Sequence, residues 1–351
     1  MKNTFTGSIH KKFFTVILLT VIPVILFSQE PESCAEKLRA AQSNFSRGQI
    51  EKIHDLLSGC LRSGFKKEEE LAAYKLLIQT YLLEDKITEA DSAMLSFLKK
   101  NPEYIISETD HSSFVNLYQN FNVNPVVMIS LRAGTNFPFI TIIKENSTSG
   151  KPVKSDFSAD VTNLFLSAEA KFRIGKKLEA GAEIGYSQIE FRNTGQYLDF
   201  ADFSYTEYQK RLEIPVNLTY EIITFGSKFT AYGKAGAGAA LNLSTTADAA
   251  LYYNDPFNQD KTGETLKRND SRSFLDIFIQ LGGGIKYKIP KGHFFAEIRT
   301  NLGTLNQNNG GTMEINGDEN HFYLYRDPDF RLNTLNINVG WTYIFYKPSK
   351  L

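Results

Sequence analysis

Between residues 127 and 346 apolar and polar side chains alternate with a period of two in eight separate runs. Successive side chains of a strand point to opposite faces, so each run predicts an amphipathic strand. In the second run Leu164, Leu166, Ala168, Ala170, Phe172 and Ile174 oppose Asn163, Ser167, Glu169, Lys171 and Arg173. The third sets Leu178, Ala180, Ala182, Ile184 and Tyr186 against Glu179, Gly181, Glu183, Gly185 and Ser187. The fourth sets Leu212, Ile214, Val216, Leu218, Tyr220 and Ile222 against Arg211, Glu213, Asn217 and Glu221. The last sets Leu335, Ile337, Val339, Trp341 and Tyr343 against Thr334, Asn336, Asn338, Gly340 and Thr342. The remaining runs centre on Leu131, Ala235, Ile279 and Ile298. Each is long enough for the roughly 9–11 residues of a tilted transmembrane strand. Gaps between runs alternate. Gly175-Lys176-Lys177, Phe225-Gly226-Ser227 and Pro290-Lys291-Gly292 are tight turns, whereas the gaps near 143–160, 193–208, 244–272 and 304–330 are long and polar. This rhythm predicts an eight-stranded antiparallel up-and-down β-barrel over residues 126–346.

Which face points inward decides the environment. Gly134, Gly181, Gly185, Gly236, Gly238, Gly282, Gly284, Gly303 and Gly340 all fall on the polar face. Small residues belong inside a narrow barrel, so the aliphatic face is expected outside, against lipid. A secreted soluble barrel, with the opposite polarity, is the alternative. The inferred lumen then holds Arg132, Glu169, Lys171, Glu183, Arg211, Glu213, Lys234, Asp276, Lys286, Glu297 and Arg299. We expect these charges to neutralise one another in a salt-bridge network filling the bore; an ion path or hydrolytic site is the competing interpretation. Short turns of outer-membrane barrels face the periplasm, and an even strand count returns both chain ends there.

Residues 31–121 carry a helical rather than a strand period. Two helix pairs are predicted, Cys34–Arg47 with Gln49–Leu61, and Lys66–Leu83 with Thr88–Lys100, then a shorter helix from about Asp110 to Phe121 with Asp110 as N-cap. Tyr81, Ala90 and Pro102 stand at the offsets of the aromatic, small and terminal proline positions of the tetratricopeptide repeat, which this segment resembles. Phe45 and Gly48 match the same scheme earlier, with Ile53 where the small residue belongs. A generic pair of helical hairpins is the alternative, and either form suits protein binding. Cys34 opens the first helix and Cys60 ends the second, ends that lie side by side in an antiparallel hairpin. In an oxidising compartment a disulfide is expected, with two buried thiols as the alternative.

The apolar stretch Phe13–Phe27, preceded by Lys2, Lys11 and Lys12 and followed by Ser28, is expected to be a signal peptide spanning 1–28. Its alternative is an uncleaved anchor, for which it is short. The chain of 351 residues balances 39 basic against 39 acidic residues, so charge argues for no nucleic acid or other polyanion. The histidines His10, His54, His111, His293 and His321 are scattered, without metal or triad spacing. No cofactor and no enzymatic activity are expected. Asp255 with Asp260, and Asp318-Glu319 with Asp327, lack calcium-loop spacing. The loop aromatics Tyr252, Tyr253, Phe257, Phe322, Tyr323 and Tyr325 suit either a surface partner or loop-on-loop packing. Asn146-Ser147-Thr148 reads as a glycosylation sequon without a eukaryotic context.

Asn338, Gly340, Tyr343 and Phe345 fit the polar-x-Gly-x-x-aromatic-x-aromatic pattern of the terminal strand that outer-membrane assembly machinery reads, followed here by six trailing residues. Over residues 126–346 the chain resembles the Bacteroidota outer-membrane β-barrel families that include PorT-like proteins, and Phe27-Ser28-Gln29-Glu30 is similar to signal-peptide exits of that phylum. The resemblance implies an integral protein of the cell outer membrane, in contact with its lipid and with the barrel-assembly machinery. It also implies a periplasmic or outer-membrane protein partner for residues 31–121 and a place in a secretion or assembly complex. A small channel is the alternative.

Overall fold

The structure, a computed structural model, describes residues 33–145, 155–159, 163–197, 200–263, 265–309 and 327–351. The expected signal peptide, the sequon, Asp318, Glu319, His321, Phe322, Tyr323 and Tyr325 lie outside the described residues. The described chain forms two compact units, one ending at Ala93 and the other starting at Met94.

The first unit contains α1 (Cys34–Ser46), α2 (Ile53–Arg62), α3 (Lys67–Leu83) and the start of α4 (Ile87–Lys100). Ser33 and Glu36 form a reciprocal capping box at the head of α1, satisfying two backbone donors that the first turn leaves open. Leu38 and Ala41 of α1, Ile53 and Leu57 of α2, and Ala73, Leu77 and Ile78 of α3 are buried. Cys34 and Cys60 are joined in a disulfide with their Cα atoms 5.6 Å apart, which ties the start of α1 to the end of α2.

In the second unit α4 ends and α5 (Ser112–Tyr118) follows. His111 caps α5 by accepting from the Ser113 amide, and Asp110, the expected cap, instead accepts from the Ser107 amide and the Tyr104 hydroxyl. The helix also stops before Phe121, which is already a strand residue paired with Lys350. Phe97, Tyr104, Phe114 and Tyr118 form an edge-on aromatic cluster beside it. Glu103 links this segment to the sheet, accepting from the Lys291 amide at 2.9 Å and from the Tyr346 hydroxyl at 2.9 Å.

The sheet is built from β1 (Phe121–Lys144), β2 (Ser155–Ala159), β3 (Leu164–Arg173), β4 (Leu178–Tyr197), β5 (Ala201–Phe225), β6 (Phe229–Tyr253), β7 (Lys261–Thr262), β8 (Leu266–Lys267), β9 (Leu275–Ile289), β10 (Gly292–Gly303) and β11 (Asp329–Lys350). Every pairing is antiparallel. From β1 the order runs through β3, β4, β5, β6, β9, β10 and β11, and β11 pairs with β1 again, so the sheet closes on itself. Closure leaves none of these long strands with an unpaired edge. The short turns after β3, β5 and β9 sit at one end, the end where β1 begins and β11 finishes. Gly226 makes one of them with φ of 60°, a left-handed conformation that costs glycine little.

Two of the expected long loops are strand instead. Residues 193–208 belong almost wholly to the ends of β4 and β5, and 244–253 to the end of β6, where Ala201 pairs with Tyr253. The side chains there have reversed polarity. Ile189 and Phe191 of β4, Phe203 and Tyr205 of β5, and Ala247, Ala249 and Leu251 of β6 point inward and are buried. On the outside lie Arg192, Thr194, Tyr208 and Asp248. Nearer the short turns the same strands are aliphatic outside and charged inside. The outward face thus exchanges aliphatic for polar side chains along each of these strands. In β6 the exchange coincides with a bulge: Arg211 and Lys210 are consecutive in β5, yet pair with Asn242 and Ser244, leaving Leu243 as the extra residue.

Candidate functional site

The bore is where the chemistry-bearing side chains meet. Arg272 and Arg299 head the largest fully buried side chains, positions that leucine or phenylalanine fills in most folded proteins. Conversely, Leu131, Val339 and Ile298 are 53%, 63% and 57% exposed. The eleven charges expected in the lumen are all buried within it.

They lie in layers. Nearest the short turns, Glu179 accepts from Lys286 at 3.0 Å and from Arg173 at 3.0 Å, Lys171 is 3.7 Å away, and Glu221 joins Arg173 and Lys286 at 3.1 Å. His293 is buried at this level with its ring tilted against Phe295. In the middle layer Arg132, Lys234 and Arg299 meet Glu169, Glu183 and Glu297. Glu183 receives both terminal nitrogens of Arg299, each at 3.0 Å, and also Arg132. Glu169 bridges Arg132 at 2.5 Å and Lys234 at 3.2 Å, and Glu297 takes Lys234 at 3.2 Å and the Tyr232 hydroxyl at 2.8 Å. Equal numbers of cations and carboxylates make this layer neutral. Arg299 also stacks over the Phe165 ring, 4.5 Å from its centre.

Above it Arg211 pairs with Asp276 at 2.9 Å. Glu213 is different: it accepts from Ser187 at 2.8 Å and Asn301 at 3.1 Å, both neutral donors. At the far end Arg272 donates to Glu207 and Asp327 and lies over the Phe330 ring, with Arg268 also on Asp327 and Gln209 on Glu207. Burial works to discharge the Arg272 guanidinium, and Asp327 and Glu207 outweigh it, holding its pKa well above the ordinary value. Apolar clusters around Phe203, Leu251, Phe191 and Phe330 close the same end.

Alternation identified the inward face and therefore the middle layer. Glu207 and Arg272 escaped it because they lie in segments whose outward neighbours are polar, which reads as loop. Glu179 stood on the inward face in sequence, and its place in the ion-pair network needed the facing Lys286. Of the terminal-strand residues, Asn338 points into the bore, and Tyr343 and Phe345 stack edge-on outside with ring centres 4.8 Å apart. A side chain at Gly340 would run into the Leu131 carbonyl and the Phe295 ring, so only glycine fits. Asp255 caps its own turn by accepting from the Phe257 and Asn258 amides. Phe257 is 93% exposed, and Tyr252 and Tyr253 lie in β6.

Comparison with models of known protein families finds no match, and comparison with curated proteins finds none either. Among solved structures, Neisserial surface protein A is 15% identical, matching 64% of this chain and 99% of that one with a TM-score of 0.30. OprG, an outer membrane protein from Pseudomonas aeruginosa, is 10% identical over 65% of this chain and 98% of its own, with a TM-score of 0.31. The outer membrane protein AlkL, solved in lipid bilayers, is 15% identical over 62% and 90%, with a TM-score of 0.29. Likenesses this faint carry no function across, and the physical case rests on the closed sheet with its charged bore and aliphatic exterior.

Proposed function

We propose that the chain is an eight-stranded up-and-down barrel of a bacterial outer membrane, closed to solutes, that anchors a periplasmic protein-binding module. One observation carries this: the long strands wrap a bore of ion-paired charge and turn an aliphatic belt outward, and the polarity reverses where β4, β5 and β6 run on past the belt. In water that belt would be a large exposed apolar surface; in lipid it is solvated. Apart from Glu213, the bore's expected charges are paired with one another, which suits a scaffold better than a conduit or a catalyst.

β1 begins at the short-turn end, the end that outer-membrane barrels turn to the periplasm, which supports a periplasmic place for the helical segment 31–121 that precedes it. We assign it a tetratricopeptide-like role in holding a protein partner within an envelope secretion or assembly complex. The tagged full chain, extracted from outer membranes, should co-purify with a defined partner that a chain lacking 31–121 does not retain. Equal capture by both would refute the assignment.

A small channel is the second reading. It is favoured by Asn136 and Asn338, whose buried amide groups have both polar atoms without a protein partner among the described residues, as water-filled space would allow. Planar-bilayer recording separates the two: steady single-channel conductance supports the channel, and silence supports the closed anchor.

A further inference from the structure

The outer wall of the barrel is not uniform. On the side formed by β1, β9, β10 and β11 it carries a cavity of about 700 Å³, floored by Ala133 and Ala296 and walled by Trp341, Phe294, Tyr287 and Phe229. The alanines of β1 and β10 flank Val339 of β11 at one level and make the floor, and bulky aromatics make the walls. Phe229 opens β6 directly after a short turn, and Tyr287 lies two residues from the end of β9, so the hollow reaches the short-turn rim. Phe229 and Tyr287 touch there, with ring centres 5.0 Å apart.

Lysine dominates the short turns at this rim, and Glu103 lies against one of them, on the Lys291 amide. Lys228, in the turn between β5 and β6, holds its ammonium 5.8 Å from the centre of the Tyr287 ring, at the mouth of the hollow. The other two short turns carry Lys176, Lys177 and Lys291, and none of the three turns contains an aspartate or glutamate. An apolar trough capped by a cation has the shape of an acyl chain joined to an anionic headgroup.

We propose that this hollow is a binding site for an anionic phospholipid of the inner leaflet, one acyl chain lying over Ala133 and Ala296 and the phosphate meeting Lys228. The proposal rests on the transmembrane reading, and its test separates the two. Trp341 is the chain's sole tryptophan and lines the hollow, so its fluorescence reports on the occupant. The full chain is folded into phosphatidylcholine vesicles containing graded amounts of phosphatidylglycerol or phosphatidylcholine brominated on the acyl chains.

The expected result is half-quenching at a mole fraction of brominated phosphatidylglycerol about fivefold below that of brominated phosphatidylcholine, as one lysine close to an anionic lipid gives. Lys228→Gln should abolish the difference while leaving Trp341 quenchable. Ala296→Leu, which raises the floor on a lipid-facing position, should also abolish it. Equal midpoints for the two lipids in the unaltered protein would overturn the site and leave ordinary annular lipid. Quenching that weakens as protein is concentrated would overturn it too, because a second copy would then cover the hollow. If neither lipid quenches Trp341, the aromatic wall does not face a bilayer and the transmembrane reading itself fails.

Discussion

At the scale of single residues, burial of charge is tolerated here because each charge has a partner of fixed geometry. Glu183 takes a two-point contact from Arg299 and another from Arg132, so Glu183→Ala removes the nearest carboxylate of Arg299 and one of the two on Arg132. Removing one partner of a buried pair costs about 3–5 kcal/mol. Glu183→Ala should therefore lower sharply the temperature at which the barrel loses its heat-modifiable gel mobility. Glu213 accepts from Ser187 and Asn301, and a glutamine can still accept from Asn301 through its oxygen while its amide donates to the Ser187 hydroxyl. Glu213→Gln should cost within about 1 kcal/mol, so the same assay should barely move. On the outside the rule is reversed. Leu218→Arg places a cation against lipid and should cost about 2–4 kcal/mol near the bilayer midplane, whereas Leu218→Ile conserves volume and should cost under about 1.5 kcal/mol. Similar effects of both Leu218 substitutions would mean that this face does not meet lipid.

At the scale of elements, two local devices set geometry that alternation cannot. The disulfide between Cys34 and Cys60 closes a loop across α1 and α2, and removing it with Cys34→Ser should cost the helical unit about 2–4 kcal/mol. Non-reducing digestion and mass spectrometry should recover the cross-linked pair from exported protein; two alkylatable thiols would contradict it. In β6 the bulge at Leu243 changes which residues point inward, from Lys234 and Ala240 below to Thr245, Ala247 and Leu251 above. Deleting Leu243 would set Asn242 and Ser244 consecutively opposite Arg211 and Lys210, so the bulge disappears while Ala247, Ala249 and Leu251 keep their partners and stay inward. Limited proteolysis should then leave residues 244–272 as resistant in the deletion variant as in the unaltered chain. New cleavage there would show that Leu243 is not a simple one-residue insertion in this register.

At the scale of the molecule, the barrel has two differently built ends. The half toward the short turns is held by ion pairs between strands, and the far half by apolar clusters fastened with Arg272, Glu207 and Asp327. The Arg211–Asp276 pair lies between these groups and the middle layer, so damage should stay local. Arg272→Ala should expose the far end to protease while the gel mobility of the folded barrel persists. Loss of both together would show that the halves fold as one cooperative unit.

What the amino-acid order by itself determined is the part of the fold that obeys one simple period in one environment. Strand faces, the polar bore and the short turns follow from alternation, because a side chain that must avoid lipid has only the inward face available. The pairing of Cys34 with Cys60 followed from helix ends and compartment. Other features needed the tertiary structure. The far halves of β4, β5 and β6 read as polar loops, since beyond lipid the outward face takes polar residues and the bulge at Leu243 breaks the count. Ring closure, the partners of Glu179, Glu207 and Arg272, and the cap at His111 depend on contacts between residues far apart in the chain or on a local turn, and a period of two carries no information about either. The hollow around Trp341 is likewise a product of register, because it exists only where Ala133 and Ala296 are brought to a common level by strands paired through β11.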